Sequence, residues 1–247
     1  MKKETDLAGV KSVAKTLLMT DVHETEFSPV VVQHPFTSSG IVVLPEKGGG
    51  DFMPLDITRD ADSLQRWRNA VASAIDHADN VFRIYMMVNK PYGLAFLKYA
   101  APYLSKNDFS QILSSAWIMC EAPNNDPEVS MRKLVTMFQS ADPQVLMDED
   151  EYRDFQELDD PLTVYRGVTE YNADCVRALS WTLNRQTAEW FAHRFGEDGT
   201  VYEAKIAKEH IYALFNGRNE SEVIVEPKYL TDITEAQDMA SDFDLSQ

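Results

Sequence analysis

With 247 residues, 44% of them apolar and 11% aromatic, the chain can bury a core of ordinary size, which excludes wholesale disorder. Its formal net charge of −17 argues against a protein that tracks nucleic-acid phosphates, since that task needs a basic face. The two cysteines, Cys120 and Cys175, lie far apart without metal-ligand spacing and read as buried thiols in a reducing compartment.

The first ~25 residues are polar at both ends and read as frayed or loosely docked. Lys2 and Lys3 are not followed by an apolar core, because Asp6, Lys11 and Lys15 interrupt it, so no secretory signal is read here. No stretch approaches the ~18 apolar residues of a spanning helix. The expectation is a soluble, cytoplasmic protein with no membrane partner. Val30–Val32 and Ile41–Leu44 are short strand-like runs separated by Pro35 and Ser38-Ser39-Gly40, which suggests a small hairpin. Gly48-Gly49-Gly50 then marks a flexible loop.

From Asp60 the apolar period becomes helical, with Leu64, Trp67, Val71, Ala74 and Ile75 on one face. A second helix is expected over Gly93–Tyr103, and a third opens near Asn107 with Phe109, Ile112, Leu113, Ala116 and Trp117 as its stripe. Asp126-Pro127 and Asp142-Pro143 each place an N-cap aspartate before a proline, announcing two further helices. Val129, Leu134, Val135 and Phe138 would be the buried stripe of the first of these. The acidic run Asp148–Glu151 reads as a solvated helix face or linker, because no His or Cys accompanies it.

After Pro161 the character changes. Leu162–Tyr165, Leu179–Thr182, Val201–Ile206, Ile211–Phe215 and Val223–Val225 read as short strands, with a helix over Thr187–Phe195. The expected class is therefore α+β, a helical N-terminal layer followed by a compact mixed sheet. Three parts are read along the chain, an extension at 1–58, a helical segment at 59–160 and a sheet-rich core at 161–247, all compatible with one domain.

Three short motifs in this last part carry chemistry. Arg166, in Tyr165-Arg166-Gly167, offers a planar donor fork suited to a pyrophosphate, and Gly167 lets backbone approach a ligand. Ser180 and Thr182 flank Trp181 on a strand, so both hydroxyls share a face. Glu220 and Glu222, two residues apart before an apolar strand, would lie on one side of an extended segment. Each motif alone also fits an ordinary strand end, strand or solvated edge.

In this order, the arginine, the Ser-x-Thr and the Glu-x-Glu resemble the signature of the ADP-ribosyltransferase fold of the arginine–serine–glutamate class. The resemblance covers about residues 162–230, and the helices before it resemble the segment found in phage- or prophage-encoded members. It implies a mono-ADP-ribosyltransferase using NAD as co-substrate, without a metal, acting in the bacterial host cytoplasm on a target protein that presents an arginine. Arg166, Gly167, Ser180 and Thr182 would bind NAD, and Arg194 would reach its phosphates. Phe191 stays open between stacking on nicotinamide and packing beside Ala188 in an amphipathic helix. Glu222 would stabilise the ribosyl cation as nicotinamide departs, and Glu220 would serve the incoming guanidinium. The loop Phe215–Asn219 occupies the place where that family meets its target, and Asn216-Gly217 also explains it as a simple turn. Two departures stand out: the gap from Arg166 to Ser180 is short, and Trp181 replaces the usual small hydroxyl residue. Two competing readings are an inactive interaction protein that binds a host factor and an NAD glycohydrolase without a target.

Overall fold

The computed structural model describes residues 2–45, 52–194, 196 and 198–236 of an α+β protein. The glycine run at 48–50 and Phe195 lie outside the described residues. The chain divides into two compact units, Met1–Ser130 with Ser140–Asp142, and Met131–Gln139 with Pro143–Gln247. The boundaries expected at residues 58 and 160 do not coincide with this division. The N-terminal strands belong with the first helices, and residues from 143 onward belong with the sheet.

The first unit opens with α1 (Leu7–Leu18), capped by Asp6, whose side chain accepts the Gly9 N–H at 3.0 Å. The expectation of a frayed N-terminus is overturned here. Val10, Ala14 and Leu18 recur every fourth residue and are fully buried, and α1 packs on the later helices α2 (Ala61–His77), α3 (Val81–Tyr85) and α4 (Gly93–Ala100). Between them lie β1 (His23–Thr25), β2 (Ser28–His34), β3 (Thr37–Ser39), β4 (Ile41–Pro45) and β5 (Phe52–Asp56). The expected pairing of the two valine runs does not occur. β2 pairs with β1 and β3, while β4 pairs with β5, so the chain turns back locally three times. His34 is buried edge-on to Trp67 at 5.0 Å, its Nδ1 accepts the Phe36 N–H, and burial pushes its pKa down to about 4. The helix α5 (Lys106–Met119) begins one residue before Asn107, capped by Ser105, and all five expected stripe residues are buried.

The second unit holds the short helices α6 (Met131–Ser140), α7 (Pro143–Leu146) and α8 (Glu149–Gln156) and nearly all of the remaining structure. Asp126 does not start a helix. Its carboxylate accepts the Glu128 and Val129 N–H groups in a local turn, and α6 begins five residues later. The acidic run forms the start of α8, where Asp148 and Glu151 make a reciprocal capping box.

Six antiparallel strands follow: β6 (Leu162–Val168), β7 (Ser180–Thr182), β8 (Thr200–Ile206), β9 (Ile211–Phe215), β10 (Glu222–Val225) and β11 (Thr231–Glu235). Their order in the sheet is β11-β8-β6-β7-β10-β9. The pair β6/β8 is registered over all seven residues, whereas β6 and β7 meet at a single pair, Tyr165↔Thr182. The sheet is thus almost two three-stranded halves joined at one seam.

The last helix, α9 (Arg185–His193), packs on β6 through its buried Ala188 and Ala192. Gly167 makes that contact possible. A Cβ there would overlap the Ala188 carbonyl, stand 2.6 Å from the Ala192 nitrogen and 3.0 Å from the Phe191 Cβ. Gly199 serves the other side of the helix, where a Cβ would overlap the Ala192 carbonyl.

Candidate functional site

The residues of interest gather at the seam between β6 and β7. A sheet that stops pairing leaves backbone acceptors to be satisfied by other donors. At this seam Arg166 supplies one, its Nη1 donating to the Ser180 carbonyl at 2.6 Å. The guanidinium is enclosed, so burial pulls its pKa down, opposed by the nearby Glu222 and Cys175. Its Nε–H is buried without a partner, as are His34 Nε2 and Arg68 Nε among the described residues. A histidine can answer burial by staying neutral, but an arginine keeps its charge and its donors. Arg166 therefore holds an unmet buried donor beside the Ser180 carbonyl and close to Glu222.

Ser180 lies across the seam from Arg166, and its hydroxyl donates to Glu222 Oε1 at 2.5 Å. The two sit on adjacent antiparallel strands, where Glu222 pairs with Thr182 and Ile224 with Ser180, so the contact is a diagonal one on a shared face. Trp181 points to the opposite face, where it is buried and donates its indole N–H to the Ala178 carbonyl at 3.0 Å. Trp181 therefore takes no part in the Ser180/Thr182 face. Thr182 is buried and works on backbone: its hydroxyl donates to the Glu220 carbonyl at 2.6 Å and accepts the Asn184 N–H at 3.0 Å.

Glu220 departs from the expected arrangement. β10 starts at Glu222, and the residues on either side of Glu220, Asn219 and Ser221, have positive φ of 57° and 45°. That left-handed kink breaks strand alternation, so Glu220 and Glu222 are not two steps of one extended segment. The Thr182 hydroxyl and the Leu183 N–H, which donates to the Ser221 carbonyl at 3.0 Å, hold the kinked backbone to the end of β7.

Phe191 and Arg194 form a separate pair at the end of α9. The Arg194 guanidinium carbon lies 5.3 Å from the Phe191 ring centroid, and Trp190, largely exposed, meets that ring edge-on at 5.0 Å. Phe191 is half-buried, and its Cβ borders Gly167 on β6. The structure therefore brings Arg166, Ser180, Thr182, Glu220 and Glu222 together through named hydrogen bonds and main-chain neighbours. Phe191 adjoins this group at Gly167 of β6.

Two residues near the site escaped the sequence. Cys175 lies near Arg166 and is half-buried, as is Cys120, so neither is buried to the extent expected, and neither is in a disulfide. Glu151 binds the Asn216 N–H at 2.7 Å from 65 positions away, and only its capping-box spacing to Asp148 was readable. Among the described residues no group of three or more His, Cys, Asp or Glu is placed to hold a metal ion. Likewise no helix among them is long and apolar enough to cross a membrane. Comparison with protein-family models, with curated proteins and with solved structures finds no match to this chain.

Proposed function

We propose that this protein is an NAD-dependent mono-ADP-ribosyltransferase that modifies an arginine side chain of a target protein and releases nicotinamide. The observation that carries this reading is the chain of contacts across the seam, from Arg166 through the Ser180 carbonyl and hydroxyl to Glu222. A buried guanidinium with an unmet N–H and a carboxylate clamped by a hydroxyl are what a dinucleotide with a cleavable ribosyl bond requires.

In this scheme Arg166 takes a phosphate oxygen of NAD. Glu222, oriented by Ser180, faces the ribose as the bond to the nicotinamide nitrogen breaks. Nicotinamide leaves with the bonding electron pair and becomes neutral, and the positive charge passes to the sugar, where a carboxylate stabilises it. A guanidinium nitrogen of the target then attacks the anomeric carbon and gives its proton to Glu220. Thr182 holds the Glu220 main chain by donating to its carbonyl. Phe191 and Arg194 would line the cofactor side from α9.

Incubation of the purified chain with labelled NAD and a bacterial lysate tests the reading, with Glu222→Gln in parallel. A labelled protein band that disappears in the variant supports transfer. Free ADP-ribose without a band indicates hydrolysis, and absence of both NAD turnover and an NAD-induced thermal shift sinks the proposal.

A further inference from the structure

The scheme above gives no task to Glu151, a buried carboxylate of the second unit. Glu151, on the first turn of α8, is 8% exposed, and its two oxygens serve different partners. Oε2 accepts the Asp148 N–H at 3.1 Å and closes the helix cap, while Oε1 accepts the Asn216 N–H at 2.7 Å. Asn216 in turn organises the turn that leads to the two glutamates. Its carbonyl accepts the Asn219 N–H at 2.8 Å, and its side-chain oxygen accepts the Ser221 N–H at 3.2 Å. The turn folds around Asn216, and Asn216 is tied to Glu151.

We propose that Glu151 is a positioning residue for the acceptor side of the site, holding the Asn216–Ser221 turn and with it the place of Glu220. The inference rests on the transferase reading and deepens it. Glu222 does not depend on this anchor, because it lies inside the β10 ladder, paired with Thr182 on one side and Phe215 on the other, and is held by Ser180. Glu220 lies outside the ladder, between two left-handed residues, and goes where the turn goes. Loosening Glu151 should therefore separate the two halves of the reaction. Departure of nicotinamide would continue, and delivery to a guanidinium would fail.

The test compares the full chain with Glu151→Ala, which removes both acceptors, and Glu151→Gln, which keeps an amide oxygen for Asn216. NAD hydrolysis is measured without acceptor, and transfer is measured to agmatine as a small guanidino probe. In the alanine variant kcat/KM for agmatine should fall about tenfold, the scale of one hydrogen bond to a charged acceptor. Hydrolysis should stay within about twofold, and glutamine should restore most of the transfer. Amide exchange at Asn216–Ser221 should quicken in the alanine variant while the β6/β8 ladder keeps its protection. Hydrolysis and transfer falling together would overturn the proposal, as would unchanged exchange in the turn. A wild-type chain that turns over no NAD would sink the transferase reading instead, and the exchange result would still judge the anchor.

Discussion

Glu222 opens the four-residue strand β10 and Glu226 directly follows it, and their surroundings differ in kind. Glu226 is enclosed by donors: the Tyr212 hydroxyl at 2.5 Å, the Gln139 amide at 3.3 Å and the Lys228 ammonium. Burial works to raise its pKa, yet Lys228, Tyr212 and Gln139 together hold it below the ordinary value. Glu222 instead stands at the seam, beside a guanidinium whose Nε–H has no partner. A saturated network fixes a conformation and has nothing left to offer a ligand. A site with an unmet charged donor next to a clamped carboxylate keeps unmet polarity, and that contrast is the ground for proposing Glu222 rather than Glu226 as the catalytic carboxylate.

The largest effect expected of this contrast is on turnover. Glu222→Gln keeps the shape and the hydrogen bond to Ser180 but removes the negative charge, and NAD cleavage should fall about a thousandfold. The fold should be unaffected, as circular dichroism and thermal melting will show. Retention of more than about a tenth of the activity would put the chemistry elsewhere.

A second expectation uses the other unit as a scale for what an enclosed polar group does when it lacks a charge partner. His34 titrates at about 4 in the fold against 6.5 when unfolded, so the fold binds fewer protons. Its contribution is complete above pH 6.5 and is lost as the pH falls toward 4, about 3 kcal/mol in all. Urea unfolding followed across that window should show the loss, and His34→Leu should flatten it. Arg166 has no such escape, so its unmet N–H stays on a charged group.

Somewhat smaller is the effect expected at Gly167. A methyl group there meets the backbone of α9 at Ala188 and Ala192, which cannot rotate away, so the helix must lift from β6. Gly167→Ala should cost about 2–3 kcal/mol in chemical unfolding. It should also weaken NAD binding, since Phe191 and Arg194 ride on that helix. Loss of stability without loss of affinity would remove α9 from the site.

The sequence showed some of this better than the rest. β9 is a continuous apolar run, β6 and β8 place buried apolar residues at alternate positions (Leu162 and Val164, Ala204 and Ile206), and α5 carries an unbroken stripe, so these elements are readable. α1 was hidden because Lys11 and Lys15 interrupt the apolar character of a helix that buries only every fourth residue. β11 was hidden because it is an edge strand of polar, mostly exposed residues. The pairing of β2 and β4 was misread because partner choice is settled by contacts that a linear pattern does not contain. In the site, Ser180 and Thr182 were placed on one face by alternation alone. The seam was not legible, since a single registered pair between β6 and β7 reflects where two strands diverge. The positive φ at Asn219 and Ser221 was equally invisible, because no glycine marks it.

The smallest expected effect gives the sharpest form of the comparison. Glu226→Gln leaves a neutral amide among Tyr212, Gln139 and Lys228, and should cost about 1–2 kcal/mol of stability near neutral pH. Because the folded pKa of Glu226 is depressed, its contribution is present above the ordinary carboxylate range and is lost as the pH falls through the folded value. The variant should therefore be less stable than the parent at neutral pH and converge with it in acid, below the His34 window. NAD turnover should not change, since every group that Glu226 binds lies away from Arg166, Ser180 and Glu222. If Glu226→Gln lost activity as Glu222→Gln is expected to, the two ends of β10 would belong to one functional unit and the distinction drawn from their surroundings would fail.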